Sequence, residues 1–377
     1  MRSLLGLSTF GRNDSLQNRF WQQIHLDPVL LGLLLALISL GLVILASSDA
    51  QDPGLLHRQM IRIGVALFLM VVIAQIPIRY YSIAVPWLYG ISLLLLIAVL
   101  LIGYTSNGAK SWLNLGFMRF QPSEIMKLAL PMLIAYYFSK RQLPCSLKEA
   151  IVGLILIAIP CALIAKQPDL GTTTMIAASG CFVLFLAGLS WRYILGAAIA
   201  GAALLPILWN SLHEYQRGRV LTFLNPESDP LGSGYQIIQS KIAIGSGGLF
   251  GKGWMNGTQS HLEFLPEAHT DFVFAVLGEE FGLAGSLVML LLYALIVLRG
   301  LYISVHAQDT FSRLLAGSLI LTFCFYVFIN IGMVMGLFPV VGVPLPLISY
   351  GGTSIVTLLA GFGILMSIHT HRKLLAD

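Results

Sequence analysis

Asp271 stands in the run QSHLEFLPEAHTDFVF, residues 259–274, where a long polar loop meets a hydrophobic helix. A carboxylate at such a junction has two uses. It can accept the orphan N–H groups of the helix's first turn and complement the positive end of the dipole. It can also serve as a base beside a substrate held in the membrane. Glu124 and Lys127 follow Pro122 in QPSEIMK and, at i and i+3, can pair on one helical face. Such a pair is a common structural device at a helix start. However, placing either ion within a span costs up to ~3 kcal/mol on insertion scales, so intramembrane ions are functional candidates. Asp169 in KQPDLGT can cap the helix that follows or join the same polar site.

Cations accompany these acids. Arg58 and Arg62 stand four apart on one helical face, and Arg217 and Arg219 in YQRGRV could both reach one diphosphate across an extended backbone. Lys241 lies in an apolar segment, Tyr235–Ile244, flanked by glycines from Gly232 to Gly253. That segment is too short to span, so an interfacial or re-entrant helix is expected. Glycine-rich loops can cradle phosphate, but no Walker pattern is present. Cations gathered on one side point to an anionic ligand there, whereas snorkelling to the interface would explain each one singly.

The elements that must position these groups are membrane spans. Of the 377 residues, 57% are hydrophobic and 10% charged, and the mean hydropathy is +0.83. A soluble domain would be about 25% charged. A ruler of ~20 apolar residues gives ten spans, at about 29–47, 60–77, 84–103, 122–138, 149–165, 170–188, 191–209, 272–298, 312–336 and 348–368. The fold class is therefore all-α: residues 1–377 form a single ten-helix transmembrane domain, with residues 210–271 as one long loop between spans seven and eight.

Lys and Arg vote for cytoplasmic N- and C-termini, twelve inside against six outside once the long loop is discounted. In such a chain the net charge of +5 concerns orientation and anionic headgroups rather than nucleic acid. Cys145, Cys161, Cys181 and Cys324 show neither disulfide nor zinc-ligand spacing. No cleaved signal peptide is expected, the first span serving as its own targeting signal. Glu279 and Glu280 are adjacent, so at most one faces any given cavity. The uncharged run PVVGVPLPLISYGGTS, 339–354, is bent by three prolines. Beside a charged patch, this wall suits a molecule with a lipid tail and a polar head.

QPSEIMK, QPDLGT, YQRGRV, SGYQIIQSKIAIGSGG, LPEAHTDF and VPLPLISYGGTS, in that order, resemble the SEDS family of bacterial cell-wall proteins. The long-loop run and the closing SIHTHRK look like its elongation branch rather than its division branch. The resemblance covers nearly the whole chain. It implies a peptidoglycan glycosyltransferase of the inner membrane that polymerises lipid II on the outer face. It also implies a class B penicillin-binding protein as crosslinking partner within the elongation machinery. The family's essential aspartate would fall on Asp271, and its other functional positions on Arg58, Glu124, Lys127, Asp169, Arg217 and Arg219. One position departs: relatives usually carry arginine just before the tryptophan of the third outer segment, where this chain has Ser111 preceded by Lys110.

Under that resemblance Asp271 is the base on the acceptor sugar hydroxyl, with Arg217, Arg219, Lys241 and Arg58 neutralising the diphosphate that leaves. No cofactor is demanded, although a divalent cation (Mg or Mn) could share the task with Glu124 or Asp169. Two other classes fit ten spans and a lipid-like groove. A lipid II transporter or flippase requires charges near midplane and access from both sides, and a non-enzymatic scaffold for a crosslinking enzyme leaves the outer ions unexplained.

Overall fold

The computed structural model describes residues 24–48, 54–106, 109–114, 119–196, 199, 203, 209, 214–228, 233–261, 264–265 and 267–371. The apolar runs form helices: α1 Pro28–Ser48, α2 Leu55–Ala74, α3 Ile78–Ile102, α4 Pro122–Ser139, α5 Leu147–Ala165 and α6 Leu170–Leu186. After the long loop come α9 Val273–Val305, α10 Thr310–Val334 and α11 Thr353–Thr370. The loop itself carries α7 Glu214–Leu224 and α8 Ser233–Ser246. Seven of these helices (α1, α2, α3, α5, α9, α10 and α11) are long and apolar enough to cross a membrane. The expected seventh span, 191–209, lies largely outside the described residues; those described within it are helical.

The chain is a helical, multi-pass membrane protein. Its exterior is apolar, as a lipid-facing surface must be: Trp87, Leu101 and Ile102 are all more than 70% exposed. Inside, close approach replaces hydrophobic drive as the source of adhesion between helices. At the crossing of α11 on α2, a Cβ at Gly363 would lie 2.6 Å from the Met70 carbonyl oxygen. Helix ends are fixed by sequence chemistry. Ser146 and Glu149 form a reciprocal capping box on α5, and Asp309 accepts the Ser312 N–H at 2.9 Å to start α10.

Helix limits depart from the apolar windows because polar residues continue a helix without announcing it. The apolar window ending near 298 becomes a helix to Val305, and the one starting near 60 begins at Leu55. Between α3 and α4 the chain forms a small antiparallel ribbon, β1 Tyr104–Ser106, β2 Ala109–Asn114 and β3 Arg119–Phe120. This ribbon is the one departure from helix among the described elements.

The long loop is fastened to α9 at a break in that helix. Gly282 has φ 65° and ψ −156°, so the ladder is interrupted there. The segment after α8 takes up the released groups: Lys252 and Gly253 donate N–H to the carbonyls of Glu279 and Glu280, both at 3.0 Å. Leu283 and Ala284 donate to the carbonyls of Gly248 and Leu249, also at 3.0 Å. A Cβ at Gly251 would sit 2.1 Å from the Glu280 oxygen, so backbone must lie directly on backbone. The fully buried Glu279 carboxylate seals the joint, accepting from Lys252 Nζ at 2.6 Å and from the Thr258 N–H at 2.9 Å. Glu280 points elsewhere and accepts from Ser47 of α1. Both acids are therefore used in assembling the helices and loop, and neither lines the cleft described next.

Candidate active site

One end of the bundle opens into a cleft of about 670 Å³. Its polar walls carry Asp271, Asp169, Glu124 and Lys127, supplied by three separate elements or their junctions with loops. Beside them stand Gln121, Glu267, Tyr326 and Tyr350, and the segment Val340–Pro344 forms an apolar side. A second pocket, of about 60 Å³, adjoins the cleft between α4, α10 and α11 and is mostly apolar. The two share Glu124, Lys127, Tyr326, Pro344 and Ser354.

Asp271 is half-buried in the turn before α9, whose N-cap is Phe272. The N-cap residue itself, Phe272, makes no side-chain cap hydrogen bond, and Asp271 stands one residue before it. Glu267, at φ 56°, makes the tight reversal into this turn and accepts the Thr270 N–H through its carbonyl at 3.1 Å. Three successive carbonyls then anchor it. That of His269 accepts the Tyr350 N–H at 2.8 Å, that of Thr270 accepts the Ser349 hydroxyl, and that of Asp271 accepts the Asn330 amide at 2.8 Å. The carboxylate is directed at the apolar wall, where a Cβ on Gly342 would lie 3.6 Å from Asp271 Oδ2.

Asp169 does both jobs open to it. It is the N-cap of α6, accepting the Thr172 N–H at 2.9 Å, and it lines the cleft, where Gln121 Nε2 donates to its other oxygen at 3.4 Å. Glu124 and Lys127 pair at 2.6 Å on one face of α4, and the ammonium also lies 5.4 Å from the Tyr326 ring centre. Their side chains are 6% and 13% exposed, so this is a largely desolvated ion pair opening onto the cleft.

The remaining cations lie elsewhere. Arg58 is exposed on the first turn of α2 and Lys241 lies against Gly336 beyond the end of α10. Arg217 donates from Nε to the Trp209 carbonyl at 2.9 Å. None of the three lines the cleft, and the Arg219 side chain is outside the described residues. At the ribbon, Ser111 lines the cleft while Lys110 turns away, donating from Nζ to the carbonyls of Leu100 and Leu101 at 2.9 and 3.2 Å. The lysine thus does not bring its cation into the cleft.

Three contributors were not among the site residues expected from sequence, although Arg62 was noted beside Arg58. Arg62 stacks on Tyr350 with 4.6 Å to the ring centre, directly behind the cleft wall. The four-residue spacing from Arg58 marked the right face of α2, and the stack on Tyr350 shows that Arg62 is the one that reaches the wall. Gln121 and Asn330 gave no signal, being neutral amides whose role exists only once α4 and α10 are packed.

A family model described as cell cycle protein, named for FtsW, RodA and SpoVE, matches residues 26–374. The peptidoglycan glycosyltransferase MrdB of Escherichia coli K12 is 57% identical over 358 residues, 95% of this chain and 97% of that protein. The peptidoglycan glycosyltransferase RodA of Treponema pallidum is 32% identical, over 92% of this chain and 98% of its own. Among solved structures, one from a peptidoglycan synthase complex that coordinates polymerization and crosslinking superposes with a TM-score of 0.81. It is 37% identical and covers 93% of this chain and 99% of that one. Thermus thermophilus RodA superposes with a TM-score of 0.71 at 32% identity, covering 92% and 98%. Motif order, helical architecture and identity along almost the entire length agree, and the chain belongs to the FtsW, RodA and SpoVE family of cell cycle proteins, the SEDS family, on its RodA side.

Proposed function

We infer that this chain is a peptidoglycan glycosyltransferase, as its relatives are named. Its substrate in this reading is lipid II, polymerised at the outer face of the bacterial inner membrane during elongation. The observation that carries the site assignment is the cleft that gathers Asp271, Asp169, Glu124 and Lys127 beside an apolar pocket. A polar head and a prenyl tail need that combination of surfaces.

In the transfer step Asp271 takes the proton of the acceptor sugar 4-hydroxyl as its oxygen bonds to the donor's anomeric carbon. The bond from that carbon to the diphosphate breaks, and the diphosphate leaves with the electron pair on the opposite face, giving inversion. A diphosphate needs no proton if its charge is neutralised. Lys127 at the cleft and Arg62 behind Tyr350 are the described cations nearest that task. Arg217, Lys241 and Arg58 would have to act from outside this cleft.

Among the described residues no three His, Cys, Asp or Glu side chains converge as a metal cage. The carboxylates in the cleft are the hard oxygen donors that Mg or Mn prefers, and Asp169 or Glu124 could supply one ligand each. Such a cation would take its remaining positions from substrate phosphate and water, and when bound it would add positive charge at the diphosphate. A class B penicillin-binding protein is the proposed partner, supported by the likeness to a complex that couples polymerization to crosslinking. Cytoplasmic N- and C-termini complete the reading, supported by the distribution of Lys and Arg.

The test is glycan synthesis from lipid II by the purified chain with its crosslinking partner. Wild type makes polymer and Asp271→Ala makes none while still inserting into membranes. Polymer from Asp271→Ala would remove Asp271 from the chemistry.

A further inference from the structure

We propose that Asn330 is a positioning residue for the transfer reaction, acting through the backbone of Asp271; this rests on the reading of Asp271 as the base. Asn330 lies on α10 and is fully buried. One amide nitrogen donates to two carbonyls, that of Asp271 at 2.8 Å and that of Val343 at 2.7 Å. Both neighbours are acceptors, so only the NH2 of the side chain can face them, which fixes its orientation. Two hydrogens serve two oxygens, with none to spare.

The two bonded residues stand on opposite sides of the slot in which the acid works. Asp271 carries the carboxylate, and Val343 belongs to the apolar wall whose Gly342 faces Asp271 Oδ2. A single amide on a packed helix therefore sets the rotation of the Asp271 peptide and the separation of turn from wall. Asp271 precedes the first residue of α9, Val273, so its orientation depends on what holds the turn. Ser349 and Tyr350 secure the preceding carbonyls of Thr270 and His269, and Asn330 bridges the acid-bearing residue to the wall. Misplacement of a reacting group by about 1 Å can lower a rate roughly 10²-fold without weakening substrate binding.

The experiment uses Asn330→Asp and Asn330→Leu in the full chain with its crosslinking partner. Asp and Leu keep the branching and heavy-atom count of Asn, Leu being the bulkier, and the three differ in donors. Asn offers two, an acid buried between two carbonyls is held protonated and offers one, and Leu offers none. Turnover is measured per folded protein, with KM for lipid II and Tm alongside. The expected result is KM within about twofold of wild type, kcat down about tenfold for Asp and about 10²-fold for Leu. A purely space-filling or stabilising role predicts otherwise: equal losses in both variants, loss only in Tm, or KM rising with kcat intact. Any of these overturns the proposal, and if Leu fails to fold, the kcat and KM of Asn330→Asp decide it. Asp271→Ala run in parallel separates the two readings. Polymer from Asp271→Ala defeats the base assignment, whereas an inactive Asp271→Ala with wild-type turnover in Asn330→Asp defeats only the role of Asn330.

Discussion

One carboxylate oxygen of Asp169 accepts the backbone N–H of Thr172 at 2.9 Å, so an acid that lines the cleft also starts α6. The two roles separate by substitution because Asn caps about as well as Asp, whereas Ala does not. Asp169→Asn should hold Tm close to wild type while lowering polymerisation at least tenfold, and Asp169→Ala should lose about 1 kcal/mol of stability as well. Thermal unfolding and a lipid II polymerisation assay on the same preparations check this. Unchanged activity in Asp169→Asn would leave Asp169 as a cap only.

The Glu124–Lys127 pair carries the opposite expectation for single changes. Breaking a largely buried pair leaves one uncompensated charge, which typically costs about 3–5 kcal/mol. Glu124→Gln or Lys127→Met should therefore lower both Tm and activity. The double variant, with no charge to strand, should regain most of the stability and none of the polymerisation. Recovery of activity in the double variant would show that the pair only holds α4 in place.

Fold and site were legible in the sequence to different depths. The spans follow from runs of apolar residues because the bilayer imposes length and polarity on any helix that crosses it. The acids of the cleft were legible too, since Asp169, Glu124 and Asp271 sit where apolar helices meet loops and a charge there is costly. The cations were not. Arg58 and Arg62 share a helical face, and one turn decides which stands behind Tyr350. Lys110 and Lys241 look equally available in sequence, yet Lys110 is bound to carbonyls of α3 and Lys241 lies beyond α10. The anchorage of the Asp271 turn by Asn330 and Ser349 was hidden for a further reason: the two lie 59 and 79 positions from the residues they hold. Glu279 and Glu280 show the converse, as intramembrane acids that hold a broken helix to its loop and to α1 respectively.

Arg62 stacks on Tyr350 at 4.6 Å while Tyr350 faces the cleft, which places a guanidinium behind an aromatic wall. Stacking needs the planar fork as well as the charge, so lysine is not an equivalent replacement. Arg62→Lys should raise KM for lipid II several-fold with little change in kcat, and Arg62→Gln should raise it further and weaken the salt dependence of binding. Steady-state kinetics across a range of ionic strength measures both. Equal KM in all three proteins would exclude Arg62 from substrate contact.

At the opposite end of the bundle His25 stacks on His371, with ring centres 3.8 Å apart, joining the segment before α1 to the end of α11. Burial, and then the neighbouring His371, hold the His25 pKa below the ordinary imidazole value. The folded protein therefore prefers neutral His25 more strongly than the unfolded chain does. Its contribution to stability is fully present above the unfolded value of about 6.5 and is lost as pH falls through the lower, folded value. Tm should fall between pH 8 and pH 5, and His25→Phe, which keeps a stacking ring without a titrating nitrogen, should flatten that part of the profile. Thermal unfolding across the range gives the answer: the same slope in His25→Phe as in wild type would assign the acid sensitivity to other groups.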